Sequence, residues 1–186
     1  MTEQKKFSPI SCERVRLRDF TTADLSVFAA YRNDPAVARY QSWSEYSMAD
    51  AEAFFMLQKV LYFAQPGSWY QIAIADNQTD KLLGDCVIHF LEHDNRQVEL
   101  GMTLATENQG KGYGREVMVV LMDFLFNRLD MHRVIALTDA LNTGSIKLLE
   151  TMGFRREAHY VENVWFKGQW GSEYLYAMLK REFLLL

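Results

Sequence analysis

The chain has 186 residues, of which 49% are apolar and 24% are charged, a balance typical of a globular domain with a full hydrophobic core. Its formal net charge of −4 argues against sequence-independent binding to nucleic acid, and its apolar runs fall short of the ~20 residues that cross a bilayer. We therefore expect residues 1–186 to form one domain that binds neither nucleic acid nor membrane.

Cysteine content and the first residues bear on cellular location. The two cysteines, Cys12 and Cys86, are too few and too far apart for a disulfide framework, which favours a reducing cytosol. The opening MTEQKKFSPI lacks the apolar segment of a signal peptide. These features predict a cytoplasmic protein.

The first half of the chain predicts one strand, two helices and three further strands. Alternation of apolar residues with arginines indicates a strand at 12–20. Thr22 is placed to cap a short helix, and Ser47 opens a capping-box-like start to a second helix that runs to about Ala64. Pro66 and Gly67 break that helix. Turn-rich segments then separate candidate strands at 68–76, 81–92 and 96–104.

The second half of the chain predicts strands and helices in alternation. A glycine-rich loop at 110–114 precedes a helix to about Arg128, and a strand at 133–139 precedes a helix at 143–152 that Gly153 ends. Two strands, at about 155–167 and 172–181, follow. The order β-α-α-β-β-β-α-β-α-β-β predicts a mixed α/β sheet of seven strands with a central β-α-β crossover.

The glycine-rich loop is the first segment that indicates chemistry. Residues 109–115 read QGKGYGR; glycines allow positive φ, and N–H groups at a helix N-terminus bind phosphate oxygens. Lys111 and Arg115 oppose the helix dipole by roughly 0.3–1 kcal/mol each, an effect that a bound anion would reverse. The spacing is neither that of a P-loop nor of a dinucleotide fingerprint. The alternative is a turn that only starts a helix.

Glu99 is the candidate general base. On the predicted strand before the loop, apolar residues alternate with Glu99 and other polar or small residues. A carboxylate in the middle of a central strand is costly unless it is paired, solvated or raised in pKa, and such groups are candidate bases. The alternative is a solvated face or an ion pair with Arg96 or another cation.

The segment Asn142-Thr143-Gly144-Ser145 begins the helix after the next strand. Considered alone, Asn142 is an N-cap and Ser145 a first-turn hydroxyl. Because the helix N-termini that follow neighbouring parallel strands meet at one edge of a sheet, this segment gains interest from the loop one strand earlier.

Taken together, these motifs resemble the GNAT superfamily of acetyltransferases over nearly the whole chain. The motifs are VELGMTL around Glu99, the loop QGKGYGRE and the segment ALNTGSIKLLETMGFRRE. The opening RVRLRDF, PAVARYQSW and the ending YVENVWFKGQWGSEYLYAML are similar to the RimJ/RimL-type branch, which acetylates N-terminal residues of ribosomal proteins. Gln109, Gly112 and Gly114 meet the Q/R-x-x-G-x-G/A pyrophosphate signature.

The resemblance implies a splayed seven-stranded sheet with flanking helices and acetyl-CoA as the co-substrate, without a metal. It implies that the pantetheine arm pairs with backbone at 102–104, that the pyrophosphate lies on N–H groups at 110–115, and that Ser145 takes the place of the usual acidic tyrosine, whose position holds Leu149. The implied catalytic residues are Glu99 and Ser145. The implied cofactor-binding residues are Met102, Thr103, Leu104, Gln109, Gly110, Lys111, Gly112, Tyr113, Gly114, Arg115, Asn142 and Ser145.

Structural roles are favoured for most of the other residues of interest. His89 and His93 lack a third ligand with zinc-like spacing, so no metal site is expected. Cys86 lies in a predicted strand and indicates core. The aromatic residues at 43–55 could line an acceptor pocket, but core packing is favoured. The arginines at 14, 16 and 18 indicate a solvated strand face, and Glu162 is a reserve candidate for the base.

The acceptor and the assembly stay open at this level. The resemblance favours direct transfer of acetyl to a protein N-terminal α-amine. The alternatives are a small amine such as an antibiotic, a polyamine or an amino acid, and a non-catalytic CoA-binding sensor, which the leucine at 149 would suit. Aromatic residues crowd the predicted last strands, so we expect a homodimer unless those rings pack on the first two helices.

Overall fold

A computed structural model describes residues 6–184 and contains an eight-stranded sheet. Residues 1–5 lie outside the described residues, and they include half of the opening segment whose composition argues against a signal peptide. The strands are β1 (Ile10–Ser11), β2 (Val15–Arg18), β3 (Trp69–Asp76), β4 (Leu82–Phe90), β5 (Gln97–Leu104), β6 (Arg133–Asp139), β7 (Arg155–Phe166) and β8 (Gln169–Leu179). The helices are α1 (Leu25–Arg32), α2 (Pro35–Ala38), α3 (Met48–Val60), α4 (Tyr113–Asp123), α5 (Thr143–Thr151) and α6 (Lys180–Phe183).

The order of strands across the sheet is β1-β2-β3-β4-β5-β6-β8-β7. Neighbours are antiparallel except for β5 and β6, which are parallel and are joined through α4. This is the mixed α/β sheet with a central β-α-β crossover that the sequence predicts, and the fold class is confirmed.

The sheet has one strand more than the seven predicted, because Ile10–Ser11 forms β1 just before the predicted strand at 12–20 and pairs with β2 inside that segment. The backbone N–H of Cys12 donates to the carbonyl of Val15 at 2.9 Å, which turns the chain between β1 and β2. Ile10 pairs with Leu17 across this turn. A two-residue strand is too short to show alternation, so the pattern alone could not reveal it.

Two of the predicted helix boundaries are wrong. The short 3-10 turn at Thr22–Asp24, which leads into α1, is capped by Thr21 rather than Thr22. The N–H and the hydroxyl of Thr21 both donate to Asp24, at 2.7 and 2.9 Å. The helix predicted to reach Ala64 ends at Val60. Lys6, distant in sequence, donates to the carbonyls of residues 59 and 61 at 2.9 and 3.1 Å. These carbonyls at the end of the helix thus gain a hydrogen-bond donor, and the positive charge is favourable at the C-terminal end of the helix dipole.

Other local predictions are confirmed or nearly so. Ser47 caps α3 in a capping box with Asp50, and Gly153 ends α5 with φ of 82°. β8 begins three residues before the predicted start, because Lys167 and Gly168, with φ of 50° and 81°, make the tight turn that suits two antiparallel strands.

Helices cover both faces of the sheet. The larger hydrophobic cluster joins one face to α4 and α5, through residues such as Val117, Leu121 and Leu149. The smaller cluster joins the other face to α1 and α3, around Phe28. Within residues 6–184, none of the helices combines the length and apolar character that a membrane crossing requires.

Arg18 corrects the prediction of a solvated arginine face on β2. Its side chain is buried and donates to Asp24 at 2.7 Å and to Asp80 at 2.8 Å. Burial alone would raise the pKa of Asp24, but hydrogen bonds from Arg18 and Thr21 outweigh burial and hold this pKa below its ordinary value of 3.8. The ion pairs tie β2 to the start of the first helix.

Candidate active site

The candidate site lies where β5 and β6 separate. Their ladder has three pairs, which end at Glu99 and Ile135. β5 stays paired with β4 as far as Leu104, and β6 stays paired with β8 as far as Asp139. The sheet therefore opens between two intact halves, and the edge of β5 that faces the gap is free to pair with a ligand from residue 100 onward.

The glycine-rich loop lies at the mouth of this gap. Gly110 and Gly112 have φ of 71° and 86°, a conformation that favours glycine. Gly112 is the N-cap of α4. The first hydrogen bond within the helix runs from the Glu116 N–H to the Gly112 carbonyl, at 3.2 Å. The N–H groups of residues 113–115 precede that bond, so they lack intrahelical partners and form an anion-binding helix end. This arrangement fits the expected pyrophosphate.

Gln109 and the cations of the loop have different surroundings. The Gln109 side-chain amide donates to the Leu104 carbonyl at 2.9 Å, so it fixes the loop to the end of β5. Lys111 and Arg115 are exposed, as expected for cations that meet a soluble anion.

Arg14 lies beside the glycine-rich loop, although the sequence pattern predicts a solvated strand face for it. Its guanidinium donates to the Lys111 carbonyl at 3.1 Å and lies 4.7 Å from the centre of the Tyr113 ring. A Cβ placed on Gly112 would lie 3.3 Å from Arg14 Nη2. Arg14 therefore adds a third cation beside the loop. About a hundred residues separate it from the loop, and no local pattern joins them.

Glu116 holds Arg14 in place. Its carboxylate accepts from the Arg14 backbone N–H at 2.6 Å and from Nε at 2.8 Å, and from the Cys12 thiol at 3.2 Å. Burial would raise the pKa of Glu116, but these hydrogen bonds outweigh burial and lower it. Burial together with the bond to Glu116 raises the pKa of Cys12 to about 11, so this thiol is not activated as a nucleophile.

Glu99 is half-buried at the point where the two halves of the sheet part. Its side chain is 21% exposed, and its Oε2 lies 3.5 Å from Nδ1 of His89, the residue opposite on β4. The ion pair with Arg96 does not form, since Arg96 pairs with Asp94 at 2.9 Å. Glu99 thus combines partial access to the gap with a single histidine contact.

Asn142 and Ser145 begin α5 on the far side of the gap. The Asn142 side chain accepts from the Ser145 N–H at 3.1 Å, so the N-cap prediction is confirmed. Ser145 is half-buried. Leu149, where the resemblance would put an acidic tyrosine, is 5% exposed and packs in the core.

Side chains bring the end of β5, the start of α4 and α5 together. A Cβ built on Gly114 would lie 3.4 Å from Leu148, 3.8 Å from Leu104 and 3.9 Å from the Met102 sulfur. Thr103 points to the opposite face of β5, because side chains alternate along a strand. The end of β5, the first turn of α4 and the middle of α5 therefore lie side by side, and the predicted binding role of residues 102–104, 110–115 and 142–145 stays a prediction.

The segment after α2 crosses the other face of the cleft. The Gln41 side chain donates to the Thr103 hydroxyl at 3.4 Å, and the Tyr40 hydroxyl donates to the Leu141 carbonyl at 3.2 Å. Lys167, at the tip of the β7–β8 hairpin, donates to the Ala38 carbonyl. Residues 38–41 thus connect both halves of the sheet on the side where an acceptor would approach Glu99.

The aromatic residues near this segment pack around Arg32, as core packing predicts. The guanidinium lies 4.2 Å from the centre of the Trp43 ring and 4.3 Å from that of Phe28. It also donates to Asp85 at 3.0 Å. Phe28 is buried in the core, whereas Trp43 and Tyr46 are half-buried, so an acceptor pocket lined by the more exposed rings stays a prediction.

The remaining candidates have no catalytic geometry. In the described part of the chain, no three His, Cys, Asp or Glu side chains are arranged to hold a metal ion. Cys86 is 1% exposed, as predicted for a core residue. Glu162 is exposed on β7, with its N–H bonded to Ser172, and β7 is three strands away from β5 in the sheet.

The chain is similar to known proteins both in sequence and in fold. The acetyltransferase (GNAT) domain family matches residues 14–155. The uncharacterized N-acetyltransferase p20 of Bacillus licheniformis is 29% identical over 171 residues, 92% of this chain and 96% of that protein.

Solved structures of similar fold include two enzymes of Vibrio species. The ribosomal-protein-S5-alanine acetyltransferase of Vibrio fischeri aligns with a TM-score of 0.77 and 22% identity, over 94% of this chain and 97% of that one. The spermidine N-acetyltransferase of Vibrio cholerae, solved with CoA and spermine, aligns with a TM-score of 0.78 and 22% identity, over 91% and 98%.

The anion-binding interpretation of the loop predicts the effect of Gly112→Asp. A carboxylate at this position would repel a bound pyrophosphate and neutralise Arg14, so calorimetry should show CoA affinity reduced roughly tenfold or more. Gly112→Ala is the matched control, because it carries the same strain at positive φ without the charge. Equal CoA affinities of the two variants would refute the anion site.

Proposed function

The chain belongs to the GNAT acetyltransferase family, and on that premise we propose that it moves the acetyl group of acetyl-CoA to the N-terminal α-amine of a protein. Acetyl transfer to an amine is the activity of the family and of the relatives named above. Membership favours an enzyme over a CoA-binding sensor. The observation that carries the proposal is Glu99, a half-buried carboxylate at the point where β5 leaves β6.

A protein acceptor is supported by the ending of the chain and by one fold neighbour. The segment from Tyr160 to Leu179 is similar to the branch that acetylates ribosomal proteins, and the Vibrio fischeri neighbour is named for that activity.

A polyamine is the second candidate. The Vibrio cholerae neighbour is named a spermidine acetyltransferase and was solved with spermine. The formal charge of −4 also favours approach of a polycation, though weakly.

The co-substrate would be held by the edges of the gap. Backbone groups of Met102, Thr103 and Leu104 on the free edge of β5 suit the pantetheine amides, and the N–H groups of 110–115 suit the pyrophosphate. Arg14 joins Lys111 and Arg115 as a cation for the phosphates. Acetyl-CoA supplies an activated thioester, and Asn142 shapes the end of the cleft by capping α5.

The reaction we propose is direct attack. An acceptor ammonium gives a proton to Glu99, directly or through a water, and the free amine attacks the thioester carbon. The C–N bond forms, and the resulting tetrahedral adduct expels the thiolate as the C–S bond breaks. Ser145 donates a proton to the thiolate, and the proton that the nitrogen loses on becoming an amide returns to Ser145, directly or through a water. Strand N–H groups beside the thioester stabilise the negative oxygen.

We further propose that residues 1–186 act as one domain and assemble as a homodimer in the cytosol. One sheet runs from Ile10 to Leu179, which supports a single unit. Trp165 and Trp170 are 61% and 57% exposed and stack edge to face beside the edge strand β7. Because more than half of each ring is exposed, a second copy is the partner that would cover them.

A panel of acceptors tests the proposed function. We expect release of CoA thiol with N-terminal peptides of ribosomal proteins, at a kcat/KM higher than with spermidine or amino acids. The same peptides with an acetylated N-terminus are the control. Faster turnover of spermidine would select the second candidate, and no turnover of any amine would overturn the enzyme.

Glu99 and Ser145 have separate roles, and pH distinguishes them. Glu99→Gln should lower kcat/KM by about 10²–10⁴-fold at low pH, with partial recovery at high pH, where free amine is already present. Ser145→Ala should lower kcat with little recovery, because the leaving thiolate does not depend on amine protonation. Rates are measured from pH 6 to about 10.

Two matched variants control for surface effects. Glu107→Gln removes an exposed carboxylate from the turn after β5, and Thr151→Ala removes an exposed hydroxyl from the end of α5. Both should keep wild-type rates. All variants should still bind acetyl-CoA, and wild-type activity of Glu99→Gln over the whole pH range would make Glu99 structural.

Light scattering tests the homodimer. We expect twice the 21.7 kDa chain mass at micromolar concentration, and a shift toward the single chain when Trp165 and Trp170 are both changed to Ser. Val119→Ser, at a residue 50% exposed on α4, should leave the mass unchanged. A single-chain mass for the wild type would contradict the proposal.

A further inference from the structure

His89 lies directly opposite Glu99 in the sheet. The two residues pair in register on β4 and β5, and His89 Nδ1 lies 3.5 Å from Glu99 Oε2. Their side chains are 19% and 21% exposed, so both are shielded from bulk water without being sealed from the gap. No role has so far been given to this histidine.

The ring of His89 is held on its other side. Trp69, its partner on β3, stacks on it with ring centres 4.0 Å apart and planes inclined by 10°. The Gln58 side-chain amide donates to the Trp69 carbonyl at 3.4 Å, and it accepts from the backbone N–H of Gln71, two residues further along β3, at 3.0 Å. The imidazole thus stacks on a ring of β3 that α3 holds in place.

Glu99 needs such a partner. It is the last residue of β5 that pairs with β6, so its side chain stands at the inner end of the gap. A glutamate is flexible, and ordering it costs conformational entropy before it can act. Among the side chains described, His89 makes the hydrogen-bond contact to its carboxylate.

The contact requires one tautomer. An ionised carboxylate only accepts hydrogen bonds, so a proton must be on Nδ1 of His89, and the neutral ring then has its lone pair on Nε2. A separation of 3.5 Å is long for a hydrogen bond, and catalytic hydrogen bonds are often long until substrate binds.

We propose that His89 is a positioning residue for Glu99: its Nδ1–H directs the carboxylate into the gap between β5 and β6, and Trp69 fixes the ring that does so. The proposal rests on the proposed function of Glu99 as the base. His89 takes no proton from the substrate in this scheme, and its effect on turnover passes entirely through Glu99.

Two substitutions separate the donor from the ring. His89→Asn places an amide N–H near the position of Nδ1 and keeps the donor. His89→Phe keeps an aromatic ring to stack on Trp69 and removes the donor. We expect His89→Phe to lower kcat about tenfold, a usual effect of losing a group that orients a reactive residue, with little change in KM, and His89→Asn to recover most of the rate.

The Glu99→Gln background shows whether the effect passes through Glu99. In that background, His89→Phe should cause no further loss, because there is no base left to position. An equal loss in both backgrounds would mean a merely structural role and would overturn the proposal. Thermal melting of each variant confirms that the comparison is made on folded protein.

A spectroscopic test is independent of turnover. In ¹⁵N-histidine-labelled protein, His89→Asn identifies the His89 signals among the four histidines. We expect the Nδ1–H tautomer in the wild type and a shift toward Nε2–H in Glu99→Ala. An Nε2–H tautomer in the wild type overturns the proposal. If no amine is acetylated, the proposed function fails while this measurement still decides the His89–Glu99 contact.

Discussion

The parting of β5 from β6 after three residue pairs is the constraint on which the site depends. Each strand keeps its other neighbour along its whole length, β4 for one and β8 for the other, so the gap costs the sheet a few inter-strand hydrogen bonds and no more. The backbone groups left unpaired line a position where a further strand would fit, and an extended ligand that contains amides can bind there through hydrogen bonds. The helices after β5 and β6 begin at the same opening and place N–H groups beside it.

The side of the sheet that would receive the acceptor is held by a buried charge pair. Asp85 is 1% exposed on β4 and accepts from Arg32 at 3.0 Å, and also from Tyr31 and Gln71. Burial and the charge of Asp85 raise the pKa of Tyr31 far above its usual value, so Tyr31 stays a hydrogen-bond donor. Removing one member would leave an uncompensated charge in the core, which is strongly destabilising. Because Asp85 faces Thr103 across β4 and β5, the same network supports the strand that borders the gap.

The opposite edge of the gap is organised by the N-terminal hairpin. Glu116, in the first turn of α4, binds the backbone and side chain of Arg14, and this brings a cation to the glycine-rich loop from the turn between β1 and β2. A carboxylate in the first turn also favours the helix dipole, and it offsets the cost of Lys111 and Arg115 at the same end. Glu116 therefore neutralises one of the three cations at the loop, and the positive charges of Lys111 and Arg115 stay exposed.

The sequence by itself determined the order of the main helices and strands from α3 to β8, the capping of α3 by Ser47, the end of α5 at Gly153 and the position of the glycine-rich turn before α4, because each follows from residues close in sequence. What only the tertiary structure decided involves residues far apart. Lys6 ends α3 by binding its last carbonyls, Arg18 is buried by Asp24 and Asp80, and Glu99 is paired with His89 rather than Arg96. Alternation along a strand says which face a side chain takes, but it does not say which strand lies beside it. The register between β4 and β5 sets the partner of Glu99, and that register is fixed by packing across the whole sheet.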